Sequence, residues 1–214
     1  TNTYGDVNYL RKIFTEAINH PDIVALSIGT RPDCLPDNVL KLLDELNLIK
    51  PVWVELGLQT IHESTAKYIN RGYSLNIFDS AVSKLNSLNI DVIVHLIIGL
   101  PFETSKDIID SVRYVCSKPI SGIKLQLLHV LKNTPLEKEY LLNKFKVLSL
   151  EEYTNILAEC LCNIPPDIVI HRITGDGPKS LLIAPKWSSD KKRVLNYINH
   201  YFEDFGVIQG KSLL

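Results

Sequence analysis

Short apolar runs alternate along this chain with segments of helical periodicity, and this alternation restricts the fold more than any other feature. Five runs have the length and apolar character of buried strands: 23–28, 52–58, 91–98, 122–130 and 167–173. Strands that alternate with helices form parallel sheets with helical crossovers, so the sequence predicts an α/β fold. Eight strand–helix pairs are not present and the chain starts on a helix. We therefore expect a partial (β/α) TIM-like barrel with a parallel sheet that lacks its first strands.

Composition limits the domain count and the class of partner. The 214 residues are 45% hydrophobic, which is enough to bury one core. We expect a single domain, with a β/α part over 1–185 and a helical extension over 186–214. The net charge of -1 does not indicate nucleic-acid binding or a membrane surface. The four cysteines match no zinc or redox spacing, so the sequence predicts no metal site and free thiols, as in a cytoplasmic protein.

Polar residues and glycines follow the ends of the predicted strands, and in a parallel sheet these ends share one rim. This rim has hydroxyl, amide, imidazole and glycine groups at Thr30, Gln59, Gly99, His129 and Gly175. It has no carboxylate pair suited to glycoside hydrolysis, no nucleophile elbow and no Walker loop. These residues suit a site that holds a polar small molecule whose reactive part is supplied by a cofactor.

The stretch 52–72 predicts a strand that runs directly into a helix. Thr60 and Glu63 have capping-box spacing, and Gly72 stands where a left-handed residue ends helices, so we expect a helix from Ile61 to Arg71 with Thr60 as its cap. Gln59 at the junction is placed like a ligand-contacting residue. A role in capping the turn is the alternative that its position leaves open.

Several motifs resemble those of radical S-adenosylmethionine (SAM) enzymes. Residues 55–60 (Glu-Leu-Gly-Leu-Gln-Thr) with 70–72 (Asn-Arg-Gly) are similar to the fourth strand and helix of that family. Residues 96–104 resemble its fifth strand and 128–134 its sixth. The subgroup containing the elongator catalytic subunit and oxygen-independent coproporphyrinogen oxidase is the most similar. Within it, 27–33 and 174–178 resemble uncharacterised bacterial proteins labelled Fe-S oxidoreductases.

The resemblance implies an enzyme that uses SAM and a [4Fe-4S] cluster to generate a 5′-deoxyadenosyl radical. It places Gln59 and Arg71 on the ribose and carboxylate side of SAM. It places adenine on the backbone of Ile97 and the His129–Val130 segment, and the methionyl amino group near Thr1. At His95 some relatives carry aspartate, and packing inside the barrel is the alternative there. The full set of implied cofactor-binding residues is Thr1, Asn2, Thr30, Gln59, Arg71, His95, Ile97, His129 and Val130.

The family binds its cluster through three cysteines spaced C-x-x-x-C-x-x-C, and this chain has no such spacing. We therefore expect the cluster ligands outside this chain and expect the chain alone to be inactive. The substrate is not predicted, and modification of RNA or of a protein is open. Two other classes remain: an ordinary (β/α)-barrel lyase that binds a polar small molecule at the rim, and a non-catalytic binding module.

Overall fold

The computed structural model describes residues 1–213 and confirms the α/β fold. The strands are β1 (Leu26–Thr30), β2 (Val52–Gln59), β3 (Asp91–Ile98), β4 (Gly122–Leu127), β5 (Val130–Leu131), β6 (Val169–Arg172) and β7 (Leu182–Ala184). Five of them form a parallel sheet in the order β1-β2-β3-β4-β6. The other two, β5 and β7, pair as an antiparallel ribbon. The sheet is the partial barrel that the strand–helix alternation predicted.

The helices begin and end at residues whose chemistry explains the boundaries. They are α1 (Val7–Ile18), α2 (Asp37–Asn47), α3 (Glu63–Tyr68), α4 (Leu75–Ser87), α5 (Ser105–Cys116), α6 (Pro135–Leu141), α7 (Leu150–Cys162) and α8 (Lys191–Phe205). The side chain of Asp6 caps α1, and Ser149 with Glu152 forms the predicted capping box on α7. Gly206 ends α8 in the left-handed conformation that glycine adopts without a steric penalty. Within residues 1–213, no helix has both the length and the apolar character needed to cross a bilayer.

The chain folds as two compact units, and the division expected at residue 185 stays a prediction. The first unit comprises residues 1–95 and 117–123, and the second comprises 96–116 and the residues from 124 onward. The chain therefore passes between the units three times, within β3, at the end of α5 and within β4. A division inside a strand leaves no compositional signal, which is why the sequence does not reveal it.

In the first unit, β1 and β2 pair in parallel, with Ile28 beside Val54 and Thr30 beside Leu56. Because successive strand residues point to opposite faces, β2 buries one face completely and leaves the other partly open. The residues of the closed face are at most 1% exposed and are Val52, Val54, Leu56 and Leu58. Helices α1 and α2 pack together in the same unit, α1 against β1 and α2 against β2.

In the second unit, α5 packs on α7, and α7 packs on α8. Tyr153 of α7 is fully buried and donates its hydroxyl to the carbonyl of Ile173 at 2.9 Å. The indole of Trp187 lies 5.7 Å from the Tyr153 ring and donates to the carbonyl of Leu148 at 3.0 Å. Buried aromatic rings with satisfied polar atoms stabilise such a core.

Two elements differ from the sequence prediction. Helix α3 covers only Glu63–Tyr68, and His62 rather than Thr60 is its N-cap, so the predicted Thr60–Glu63 capping box is wrong. The predicted strand 122–130 is divided, because β4 ends at Leu127 and Val130 pairs with Ala184 of β7 instead. In each case a partner distant in sequence determines the local structure.

Candidate functional site

The open face of β1 and β2 carries polar side chains, whereas the opposite face is apolar apart from Thr30. Its residues on β2 are Trp53, Glu55, Gly57 and Gln59. Gly29 of β1 lies beside Glu55, and a Cβ at Gly29 would meet no atom within 4 Å. A partly open strand face with room beside a glycine can accept a ligand. The sequence signal for this face is the spacing of two residues between its members.

A hydrogen-bonded network crosses this face between neighbouring strands. The hydroxyl of Ser27 donates to Oε1 of Glu55 at 2.9 Å, and Nε2 of His95 lies 3.0 Å from Oε2. Because a carboxylate only accepts, Nε2 of His95 carries the proton in this contact. The side chains of His95 and Glu55 are 22% and 18% exposed. Sequence reasoning selected His95 but did not select Ser27 or Glu55.

At the exit of β2, Gln59 has a positive φ of 67° and turns the chain away from the sheet. Thr60 follows, fully buried, and its hydroxyl accepts from the amide of His62 at 3.0 Å instead of starting a helix. The hydroxyl of Tyr73 lies 3.4 Å from Oε1 of Gln59. Among residues 1–213, Nε2 of Gln59 has no hydrogen-bond partner, so its two N–H groups are available to a ligand.

Arg71 reaches back to this exit, as the sequence required for a ligand role, but its guanidinium binds protein groups. Its Nη1 donates to the carbonyl of Thr60 at 2.7 Å and its Nε to that of Tyr73 at 2.9 Å. Its Nη2 lies 3.1 Å from Oε1 of Glu63, and the side chain is 1% exposed. Arg71 therefore joins α3 and the loop after it to the end of β2. Contact with SAM stays a prediction.

The N-terminal residues lie beside β1. The amide of Asn2 donates to the carbonyl of Gly29 at 3.0 Å, and Thr1 is exposed. Thr3 donates its hydroxyl proton to the carbonyl of Cys34 at 2.6 Å, so the hydroxyl of Thr30 is the donor in the Thr3–Thr30 contact. Thr30 is thus buried and bonded to protein groups, whereas Thr1 and Asn2 beside β1 are exposed.

Two arginines, Arg31 and Arg71, lie near the end of β2. Arg31 binds Asp33 through Nε at 2.9 Å and Nη2 at 2.8 Å, which lowers the pKa of the Asp33 carboxyl. The guanidinium carbons of Arg31 and Arg71 lie 5.2 and 4.8 Å from the centre of the Tyr73 ring. Burial raises the pKa of Tyr73 to about 12, although both arginines act in the opposite direction. Tyr73 therefore stays a protonated donor at neutral pH.

The remaining candidates, Ile97, His129 and Val130, lie in the second unit. Nε2 of His129 is 3.1 Å from the hydroxyl of Ser188, which donates to the carbonyl of Pro185 at 2.8 Å, so Nε2 is the donor to Ser188. Burial lowers the pKa of His129, partly offset by Asp176.

Two glycines of the loop after β6 lie against the His129 ring in the second unit. A Cβ at Gly175 would lie 2.6 Å from the His129 ring and would clash with it, and one at Gly177 would lie 3.3 Å away in a tight contact. Val130, expected to hold adenine, pairs through β5 with Ala184. Ser188 and the two glycines were not selected by sequence as partners of His129.

The described residues do not fit a four-iron cluster. Within 1–213, no three His, Cys, Asp or Glu side chains are grouped to hold a metal ion. The cysteines are Cys34, Cys116, Cys160 and Cys162, all with free thiols. Burial raises the pKa of Cys116 to about 12 and also raises that of Cys160, which disfavours the thiolate that iron binds.

Family models and relatives place this chain in a known context. The model of the radical SAM superfamily matches residues 1–115, and that of the Radical_SAM C-terminal domain matches 120–204. YtqA of Bacillus subtilis, described as uncharacterised, is 45% identical over 99% of this chain and 66% of its own length. YhcC of Escherichia coli is 34% identical over 100% of this chain and 69% of its own. The chain thus spans about two thirds of the length of these curated relatives.

Solved structures support the fold. An archaeal Elp3 from Methanocaldococcus infernus with an N-terminal deletion has a TM-score of 0.83 at 19% identity, over 98% of this chain and 53% of that one. Coproporphyrinogen III oxidase from Escherichia coli, described as a radical SAM enzyme, has a TM-score of 0.59 at 16% identity, over 75% and 37%. At these identities the likeness concerns architecture alone. By the extent of the family match and the identity to YhcC, the chain belongs to the radical SAM superfamily.

Proposed function

We propose that the complete protein is a SAM-cleaving enzyme and that this chain supplies much of its SAM site. The superfamily's cofactors are SAM and a [4Fe-4S] cluster. In the complete protein the cluster would supply the electron for reductive cleavage of SAM, and Gln59 of this chain would hold SAM through its ribose or its carboxylate. Because the described residues of this chain do not fit the cluster, we assign its ligands to the part of the protein beyond this chain.

The observation that carries the proposal is the unpartnered amide nitrogen of Gln59 at the carboxyl end of β2. Ligands of parallel α/β sheets bind at such ends, and two free N–H groups suit the oxygen atoms of a ribose or a carboxylate. The open space in front of Gly29 and the exposed side chain of Asn2 belong to the same unit. The buried guanidinium of Arg71 donates to the carbonyl of Thr60, the residue after Gln59, and so holds the turn that carries Gln59.

The test uses the full-length protein, purified without oxygen, supplied with iron and sulfide, and reduced with dithionite. We expect it to bind SAM and to release 5′-deoxyadenosine and methionine in equal amounts. Gln59→Ala should weaken SAM binding about tenfold, the value of one or two lost hydrogen bonds. Formation of neither product by the wild-type protein would refute the proposed activity.

Gln209 provides a matched amide control. Its Nε2 donates to the carbonyls of Pro165 at 2.7 Å and Ile168 at 2.8 Å, so this amide is fully used inside the second unit. Gln209→Ala should lower the melting temperature and leave the SAM dissociation constant unchanged. Equal weakening of SAM binding in both variants would show that Gln59 acts through stability rather than through contact.

A further inference from the structure

The phenol of Tyr73 extends from the end of the loop between α3 and α4 to the end of β2. Its hydroxyl contacts the carbonyl of Gly57 and lies 3.4 Å from Oε1 of Gln59. The residue is 8% exposed. Its ring also lies against the guanidinium groups of Arg31 and Arg71, as described above. A ring held by two cations and a buried hydroxyl bond has little freedom to move, so the atoms that it contacts are also fixed.

Gly57 determines where the Gln59 amide lies. A Cβ at Gly57 would stand 2.5 Å from Nε2 of Gln59, closer than non-bonded atoms approach. The carboxamide is therefore folded back over the glycine two residues earlier on the same strand face. Any side chain at position 57 would push the amide nitrogen away from this location, so the glycine and the amide conformation depend on each other.

From these contacts we infer that Tyr73 is a positioning residue that holds the carboxamide of Gln59 with its oxygen inward and its nitrogen toward the ligand. In this orientation Gln59 is a hydrogen-bond donor to an oxygen of SAM, on the ribose or the carboxylate. The raised pKa of the phenol, about 12, keeps the hydroxyl protonated, and its one proton is shared between the nearer carbonyl of Gly57 and Oε1 of Gln59. The inference rests on the proposed SAM-binding function and adds the residue that sets the polarity of the contact.

Three variants of the full-length protein test this arrangement, with SAM itself as the probe and its dissociation constant measured by calorimetry. Tyr73→Phe removes the donor and should weaken binding about threefold to tenfold. Gly57→Ala leaves every polar group in place but displaces Nε2 of Gln59, and should weaken binding at least as much. Gln59→Glu keeps the shape and replaces the donor with an acceptor, so it should bind SAM no better than Gln59→Ala.

A double-mutant cycle separates positioning from stability. If Tyr73 acts through Gln59, then Tyr73→Phe should change the dissociation constant less than about twofold in a Gln59→Ala background, because the contact is already lost. Tyr153→Phe is the matched control: it also removes a buried hydroxyl–carbonyl bond, in the second unit. It should lower the melting temperature without changing SAM binding.

The outcomes are distinguishable. If the wild-type protein binds no SAM, the proposed function is wrong and this inference is refuted with it. If the wild type binds SAM but Tyr73→Phe weakens binding equally in both backgrounds, Tyr73 does not act through Gln59. Wild-type affinity in Gln59→Glu would show that the site does not require a donor there, and wild-type affinity in Gly57→Ala would show that the folded-back amide is not the binding conformation.

Discussion

Arg71 shows how a residue selected for one reason is found to serve another. The sequence placed it at the end of an eleven-residue helix, roughly 16 Å from its start, so its return to Gln59 was in question. The helix is shorter, Glu63–Tyr68, and the guanidinium reaches the carbonyl of Thr60 directly. Three protein acceptors use its donors while the side chain is nearly inaccessible. Its first measurable role is therefore in stability.

We expect Arg71→Lys to lower the free energy of unfolding by about 2–4 kcal/mol, because one ammonium cannot replace a buried guanidinium that makes two buried hydrogen bonds and a third to the exposed Glu63. Helix-end electrostatics alone would make lysine an adequate substitute. Urea denaturation measures the change. Arg11→Lys, at an exposed ion pair with Glu45, is the control and should leave the midpoint nearly unchanged. A similar midpoint for both variants would show that Arg71 does not stabilise the fold by joining α3 and its loop to the end of β2. Only the helix-end role would then remain for Arg71.

From the surroundings of His129 we predict how the stability of the fold depends on pH. Its pKa is lowered in the folded protein by burial, whereas the unfolded chain has the ordinary value near 6.5. Between these two pKa values the unfolded state binds more protons, so stability falls as pH decreases below about 6.5. It levels off below the folded pKa. Above about 6.5 the imidazole is neutral in both states and contributes no slope.

Thermal unfolding measured from about pH 7.5 to about pH 5, in steps of roughly half a pH unit, tests this dependence. His129→Gln should flatten the curve relative to the wild type, since the titrating group is removed. His200→Gln, where the imidazole is 78% exposed, should retain the wild-type slope. An unchanged slope in His129→Gln would assign the dependence to other groups.

At the scale of elements, local sequence patterns predict most of the fold. The predicted strands of the five-stranded sheet overlap β1, β2, β3, β4 and β6, and the capping box of α7 lies where it was expected. The pattern fails around α3. Thr60 has the right spacing from Glu63, but Glu63 accepts from Arg71 and from the amide of Leu75 at 2.7 Å. Those partners lie eight and twelve residues away, and no local rule shows them.

Likewise, only some residues of the candidate site could be predicted from the sequence. Gln59 could be selected from sequence because it follows an apolar strand directly. Tyr73 could not be selected, because its contact with Gln59 spans 14 residues and depends on the turn between α3 and α4. Glu55 was visible within a recognised motif, but its partners Ser27 and His95 are on other strands. Strand order and register, rather than composition, bring these three together.

The turn after α3 contains a glycine whose conformation predicts an effect on stability. Gly72 has a φ of +84°, and a Cβ there would meet Nη2 of Arg31 at 3.1 Å. Gly72→Ala should therefore lower the free energy of unfolding by about 1–3 kcal/mol. Gly29→Ala is the control, since a Cβ there meets nothing within 4 Å and its φ is not positive. That variant should be neutral or more stable by up to about 1 kcal/mol. Equal losses in chemical denaturation would contradict the role of the turn.

At the scale of the whole molecule, the family and the fold follow from sequence, but the division into units does not. The two family models meet between residues 115 and 120, close to the point where the chain returns to the first unit at 117. The proposed chemistry requires a cluster, and the thiols of this chain are unsuited to hold one. Cys34 lies in the first unit and the other three cysteines in the second, two of them with raised pKa values.

This distribution leads to the prediction that the 214-residue chain, purified without oxygen and supplied with iron and sulfide, assembles no stable four-iron cluster. Iron–sulfur clusters are held by grouped thiolates, and burial keeps Cys116 and Cys160 protonated. Iron and sulfide analysis after gel filtration measures the outcome, with the full-length protein as the positive control. A stoichiometric cluster on the short chain that is lost in Cys160→Ser would mean that the second unit opens to bind iron. The cluster ligands would then lie within this chain, and the division of labour proposed for the complete protein would be wrong.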